Sequence, residues 1–249
     1  MNNKFLEQFL IYPKTKNKMK KITAILSIAI LFSCNNSKNE STTNTVNDAA
    51  KDKAAEMTDG ATNSTATAPS GYKKYDLKSG IITFETTGSV SGDQLPKTKQ
   101  ILYFDDYGAK ESQETYKIDE ATGKEILTDR DFEKDGFRYI ISFEHKGGSK
   151  TKGSGYGIAS PFVMSEAASQ KAKGLADETI AGKPCKGFAM VTPSGNITTY
   201  GWNKITLKTI TDNTEYKIKS KTVATKIEEN VSIPADKFEV PAGMEMTNM

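Results

Sequence analysis

The sequence predicts an all-β fold: a curved antiparallel sheet (a half-barrel or open barrel) with one short helix, preceded by a disordered N-terminal tether. Three observations predict it. From Gly71 onward, large apolar residues recur at period two, as in Phe137, Tyr139, Ile141 and Phe143, which places four large side chains on one strand face. Short turn signals separate such runs: Asp106-Tyr107-Gly108, Ala121-Thr122-Gly123, Lys134-Asp135-Gly136, Pro193-Ser194-Gly195-Asn196 and Thr211-Asp212-Asn213. Many hairpin-linked strands with short turns argue for an antiparallel sheet and against a βαβ array.

Taken in order, the expected strands are Tyr72–Leu77, Gly80–Val90, Thr98–Tyr107, Glu111–Ile118, Phe137–Glu144, Cys185–Thr192, Ile197–Ile210, Glu215–Ala224 and Thr225–Ile233. Ile101-Leu102-Tyr103-Phe104 is apolar on both faces, as a central strand requires. One helix is expected: Ser165 can cap Glu166–Lys173, and Gly174 can close it at C′. Its faces are small and polar, so it cannot be a core helix. Before it, Ile158–Met164 is apolar and follows a Gly-rich stretch. A nine-stranded sheet with one modest helix must bury its apolar face by curling on itself or by taking a ligand. Trp202, Phe162, Met164, Tyr139 and Phe143 are the candidates for a ligand-facing surface. A binding reading predicts a concave apolar cavity of ~300–1,000 Å³ near residues 158–164.

Composition narrows the function classes. The chain has 249 residues, 34 Lys+Arg and 31 Asp+Glu. The basic surplus comes from residues 1–33, which hold six Lys and one Glu, so residues 34–249 carry a net charge of −2. That balance leaves no electrostatic footprint for nucleic acid. A mean hydropathy of −0.54 excludes a polytopic membrane protein. Two Cys and one His are too few for a Cys/His zinc site or a disulfide framework. No metal and no cofactor is expected.

The N-terminus has the pattern of an export signal. Met19-Lys20-Lys21 is a short basic region, with Met19 a candidate start, and Ile22–Phe32 is an apolar run of eleven residues. At ~1.5 Å per residue that run is too short to span a ~30 Å hydrocarbon core. Leu31-Phe32-Ser33-Cys34 resembles the lipobox of bacterial lipoproteins. The resemblance implies cleavage before Cys34 and acylation there (palmitate among the chains), with membrane attachment through the lipid. Residues 1–33 are then the signal peptide and 34–70 a lipidated tether. Asn35–Ser70 has no aromatic residue, and cannot offset ~1–2 kcal/mol per residue of ordering entropy. As a coil it reaches roughly 30–36 Å. Asn35, where some sorted lipoproteins carry Asp, favours the outer membrane of a Gram-negative envelope.

The reactive residue types have plain readings. His145 ends a strand without advertised partners. Cys185 follows a turn and reads as a small buried side chain; flanking Lys183 and Lys186 could otherwise activate it. Asp131-x-Glu133-x-Asp135-Gly136 has the opening of a calcium loop, but Ser142 stands where a bidentate Glu belongs, so a hairpin tip is the better reading. Gly147-Gly148 and Gly153–Gly157 read as a loop able to hinge a lid. Ser149-x-x-Lys152 lacks the accompanying motifs of an acyl-enzyme. Among the acidic residues, Glu85, Asp105 and Asp106 read as strand-end charges, and no enzyme activity is expected.

The last third carries a further resemblance. Glu178–Lys186 (ETIAGKPCK), Trp202–Lys208 (WNKITLK), Ala224–Asn230 (ATKIEEN) and Phe238–Gly243 (FEVPAG) follow one another in an order that resembles exported proteins of an uncharacterised bacterial family, domain of unknown function 4412. That family is similar to the outer-membrane lipoprotein carrier and receptor superfamily. The resemblance implies a half-barrel holding acyl chains, a lipid, a lipoprotein or another hydrophobic guest under a lid, with no catalytic residue. Carriers have several lid helices, whereas one short helix is expected here. A structural or protein-interaction lipoprotein with a self-filled barrel is the alternative.

Overall fold

The structure is a computed structural model; residues 73–154, 157–163 and 172–249 are described. Twelve strands form one sheet: β1 (Gly80–Val90), β2 (Asp93–Asp105), β3 (Lys110–Ile118), β4 (Glu125–Lys134), β5 (Phe137–Ser142), β6 (Gly147–Lys152), β7 (Lys173–Ile180), β8 (Lys183–Thr192), β9 (Gly195–Trp202), β10 (Ile205–Asn213), β11 (Ile218–Glu229) and β12 (Glu245–Asn248). The spatial order is β12-β6-β5-β4-β3-β2-β1-β11-β10-β9-β8-β7. Two meanders, β1–β6 and β7–β11, are thus joined by the antiparallel β1–β11 pair. β12 alone runs parallel, on β6.

The sheet is curved and open. Residues of β7 and β11 approach within 8 Å, Cα to Cα, although a flat sheet would hold strands four places apart at about 19 Å. The ion pair Lys183–Glu229 likewise links β8 to β11 across two intervening strands. β12 and β7 remain as edges, so the barrel does not close. Core side chains include Ile82, Leu102, Phe104, Leu207 and Ala224, with Tyr75 meeting Phe104 edge-on at 5.0 Å. Among the described residues no helix is long and apolar enough to cross a membrane, which says nothing about crossing by strands.

Several sequence expectations need correcting. Residues 73–79 form bends, not a strand: Lys74 and Tyr75 are both buried, a consecutive pattern no half-buried strand allows. The run Ile197–Ile210 is two strands, split by a turn in which Asn203 (φ 49°) and Lys204 (φ 62°) both adopt left-handed backbone. Two positive φ values suit the twist of a two-residue hairpin. The runs 215–224 and 225–233 are the single strand β11, bulged where the register shifts opposite Thr83/Phe84. β4 went unpredicted because its sequence is mostly charged, yet Thr128, Arg130 and Phe132 alternate inward. The Gly147–Lys152 loop is strand β6. The expected helix falls largely on residues 164–171, outside the described residues; Lys173 and Gly174 belong to β7, paired with Ala189 and Phe188. The calcium-type segment is a hairpin: Asp131 and Glu133 lie on β4, and Asp135-Gly136 turn into β5. His145 sits on the turn between β5 and β6.

Candidate functional site

β3 organises both faces of the sheet through the tetrapeptide Glu111-Ser112-Gln113-Glu114. Period-two alternation sends Glu111 and Gln113 to one face and Ser112 and Glu114 to the other. Both glutamates are completely buried. A buried carboxylate persists only when its charge is paired and hydrogen-bonded, and each of these two pins an irregular segment onto the sheet.

On one face, Glu111 Oε2 accepts hydrogen bonds from Lys74 Nζ (2.7 Å), the Ile158 amide (2.7 Å) and the Ala159 amide (3.1 Å). Lys74 is as buried as its partner. Burial pushes its ammonium below the ordinary lysine range, and the Glu111 carboxylate opposes that shift. Gly157 (φ 77°) gives the chain its entry, since a Cβ there would stand 2.4 Å from Glu111 Oε2. Further along, the Phe162 amide donates to the Lys204 carbonyl at 2.7 Å. The Phe162 ring is stacked on Phe188 at 5.5 Å and lies over Gly201, where any Cβ would come within 2.2 Å of it. Residues 157–163 are therefore a cover, held at one end by a carboxylate and at the other by an aromatic plug.

Beneath the cover lies a cleft of about 150 Å³. Tyr75, Phe84, Leu102 and Ile205 supply its apolar wall, and Gln100, Gln113, Thr206 and Thr222 its polar positions. Ala159 and Ser160 roof it. Register explains the convergence: Leu102 is paired with both Ile82 and Gln113, so their side chains share this face. The cleft is half the lower bound expected from the sequence. The location near residue 158 matches the expectation; the volume does not.

On the other face, Glu114 gathers five side-chain donors' worth of contacts from four residues. Arg130 donates twice to Oε1 (2.7 and 3.1 Å). Tyr116 (2.7 Å) and Tyr103 (3.0 Å) donate to Oε2, and Lys237 reaches both oxygens at 3.0 and 3.2 Å. Burial pushes the Glu114 carboxyl up, but the bonds from Tyr116, Lys237 and Arg130 outweigh it and hold the group below the usual carboxylate range. Burial and the same carboxylate push both tyrosines well above the ordinary phenol range. Arg130 also donates to the carbonyls of Asp236 and Glu239. The C-terminal 3-10 turn Ala235–Phe238 is thereby strapped across this face.

The five sequence candidates do not assemble into one surface. Tyr139 is paired with Phe132 and so faces the strap, stacked on Phe132 at 4.9 Å. Phe143 is on that face too, under the Arg130 guanidinium at 5.7 Å. Trp202 neighbours Gly201 in β9 and points to the opposite side from Phe162, with the Lys183 ammonium over its ring at 4.7 Å. Phe162 belongs to the cover itself. Met164 and Cys34 lie outside the described residues. Cys185 is buried, its thiol donating to the Lys183 carbonyl at 3.3 Å, and burial pushes the thiol up, opposite to the activation that its flanking lysines suggested. Glu111, Lys74, Gln100, Gln113 and Gly201 were not singled out by the sequence. A strand glutamate ordinarily faces water, and nothing local marks these two as buried.

No family model matches the sequence, and no curated protein does. Several solved structures are similar to parts of this chain. An uncharacterized conserved protein from Thermus thermophilus is similar over 70% of this chain and 91% of its own, at 4% identity and a TM-score of 0.47. MucB, in its complex with MucA from Pseudomonas aeruginosa, is similar over 66% of this chain at 12% identity and a TM-score of 0.40; the match spans only 56% of that chain. A LolA superfamily protein from Nitrosomonas europaea is similar over 67% of this chain and 92% of its own, at 7% identity and a TM-score of 0.32.

Proposed function

We propose that this chain is a non-enzymatic binding module for a hydrophobic ligand, attached to the cell envelope by a lipid on Cys34. The observation that carries the ligand reading is the covered cleft. Apolar wall residues from β1, β2 and β10 meet under residues 157–163, and that cover is fastened by a few discrete contacts, not by a strand ladder. Such a cover can lift without breaking the sheet. A cleft of this size accepts a group as large as a benzene ring; a longer acyl chain requires the cover to lift. The non-enzymatic reading is supported by the use of the buried ionisable groups. Glu111 and Glu114 serve as clamps with their charges neutralised, and Cys185 is held as a thiol.

The envelope reading rests on the lipobox-like Leu31–Cys34 and the polar tether. The outer membrane of a Gram-negative cell, and kinship with the family of domain of unknown function 4412, follow from the sequence resemblances. The partners on this reading are the membrane and a hydrophobic ligand or lipoprotein, not nucleic acid.

A second reading has one specific observation in its favour. The cleft is small and Phe162 is buried against Gly201, as in a half-barrel filled by its own side chains and serving structure or protein interaction. Ser160 roofs the cleft and is itself exposed, so Ser160→Trp blocks the mouth at little folding cost. On the ligand reading, a small neutral apolar probe such as benzene binds the parent chain and is lost in this variant. Identical behaviour of parent and variant supports the self-filled reading.

A further inference from the structure

The chemistry lining the cleft says what kind of ligand it takes, on the premise of the binding reading above. None of its lining residues is charged. Two charged groups beside it are neutralised within the protein. Lys74 is bound to Glu111. Asp131, the register partner of Gln113, is bound in a fork by Arg138 at 2.5 and 2.9 Å. By contrast, the cleft is supplied with neutral hydrogen-bonding groups. Gln100 and Gln113 are diagonal neighbours on β2 and β3, since Gln113 pairs with Leu102 and Gln100 with Thr115. Diagonal positions lie about 7–8 Å apart, so one head group can touch both. Neither amide, nor the Thr206 hydroxyl, makes a side-chain hydrogen bond among the described residues, whereas Thr222 is bonded to Thr86 at 2.8 Å.

We propose that the cleft binds an uncharged amphiphile. Its apolar end lies against Phe84, Leu102 and Ile205, and a hydroxyl, ester or amide head group bonds to Gln100, Gln113 and Thr206. Half-buried amides left without partners gain most from a neutral head, which completes their hydrogen bonding. An ionised carboxylate meets no available cation here and loses hydration on entry, so it is rejected.

The test uses the full chain at pH 8 and four six-carbon probes: benzene, hexan-1-ol, hexanoate and hexylammonium. Binding is followed by NMR shifts of the Gln100 and Gln113 side-chain amides. The expected result is saturable binding of hexan-1-ol at least tenfold tighter than either ion. Gln100→Leu and Gln113→Leu, each checked for an unchanged fold by circular dichroism, are expected to weaken hexan-1-ol several-fold while leaving benzene bound. Hexanoate or hexylammonium binding as tightly as the alcohol overturns the neutral-head assignment while the binding reading stands. Failure of all four probes, benzene included, overturns the binding reading itself.

Discussion

The two buried glutamates of β3 are the residues on which the arrangement turns. An ion pair taken out of water contributes little net stability, because desolvation offsets the attraction, but breaking one partner is expensive. Glu111→Gln is therefore expected to destabilise the fold by ~3–5 kcal/mol, since Lys74 would stay buried without the carboxylate that meets it at 2.7 Å. The double variant Lys74→Met/Glu111→Gln is expected to recover most of that loss in urea melts. Both variants are expected to lose hydrogen-exchange protection at the Ile158 and Ala159 amides, which bond to this carboxylate. Retained protection there would mean that the carboxylate does not hold the cover. Glu114 makes a separate prediction. Its carboxyl lies lower in the folded than in the unfolded state, so on acidification the unfolded chain takes up the proton first. The stabilisation is then complete above the unfolded value of ~4.3 and is lost as pH falls through the folded one. Unfolding free energy measured from pH 6 downward is expected to drop below that value, and Glu114→Gln to flatten the drop. A curve of unchanged shape would remove Glu114 as the cause.

At the scale of elements, the cover and the β9 strand form a matched pair. Gly201→Ala places a methyl inside the Phe162 ring, with no φ strain to confuse the result. It is expected to cost ~1–3 kcal/mol, the usual penalty of overpacking. Phe162→Ala in the same chain is expected to relieve that cost, read in urea melts as a double variant less destabilised than the sum of the two single variants. An additive double variant would show that ring and glycine do not meet.

How much of this was legible in the sequence differs from element to element. β1 was predicted residue for residue, and β3, β5 and β8 within two residues at either end, because each combines period-two patterning with a turn signal. The β9–β10 hairpin was not seen, since Asn203-Lys204 adopts left-handed backbone without a glycine to announce it. β4 was hidden because Arg130 is buried by a partner sixteen residues earlier in the chain, a pairing that no local pattern encodes. The position of the cleft near residue 158 could be anticipated from an apolar run after glycines. Its lining could not, because Gln100, Gln113 and Thr206 read as ordinary strand polar residues until the register brings them together.

At the scale of the whole molecule, the proposal of a lipid on Cys34 has its own test. Cys34→Ala is expected to move the protein from the membrane to the soluble fraction on fractionation of expressing cells, with the folded domain's melting temperature unchanged. A variant that stays with the membrane would remove Cys34 as the anchor. The central claim, that the cover closes over a site for an apolar guest, is tested most directly by native mass spectrometry of the full chain purified from membranes, beside its Ser160→Trp variant. The account predicts a non-covalent apolar adduct on the parent chain that the variant lacks. A parent chain free of any adduct, which also fails to acquire one when incubated with neutral amphiphiles, would contradict it.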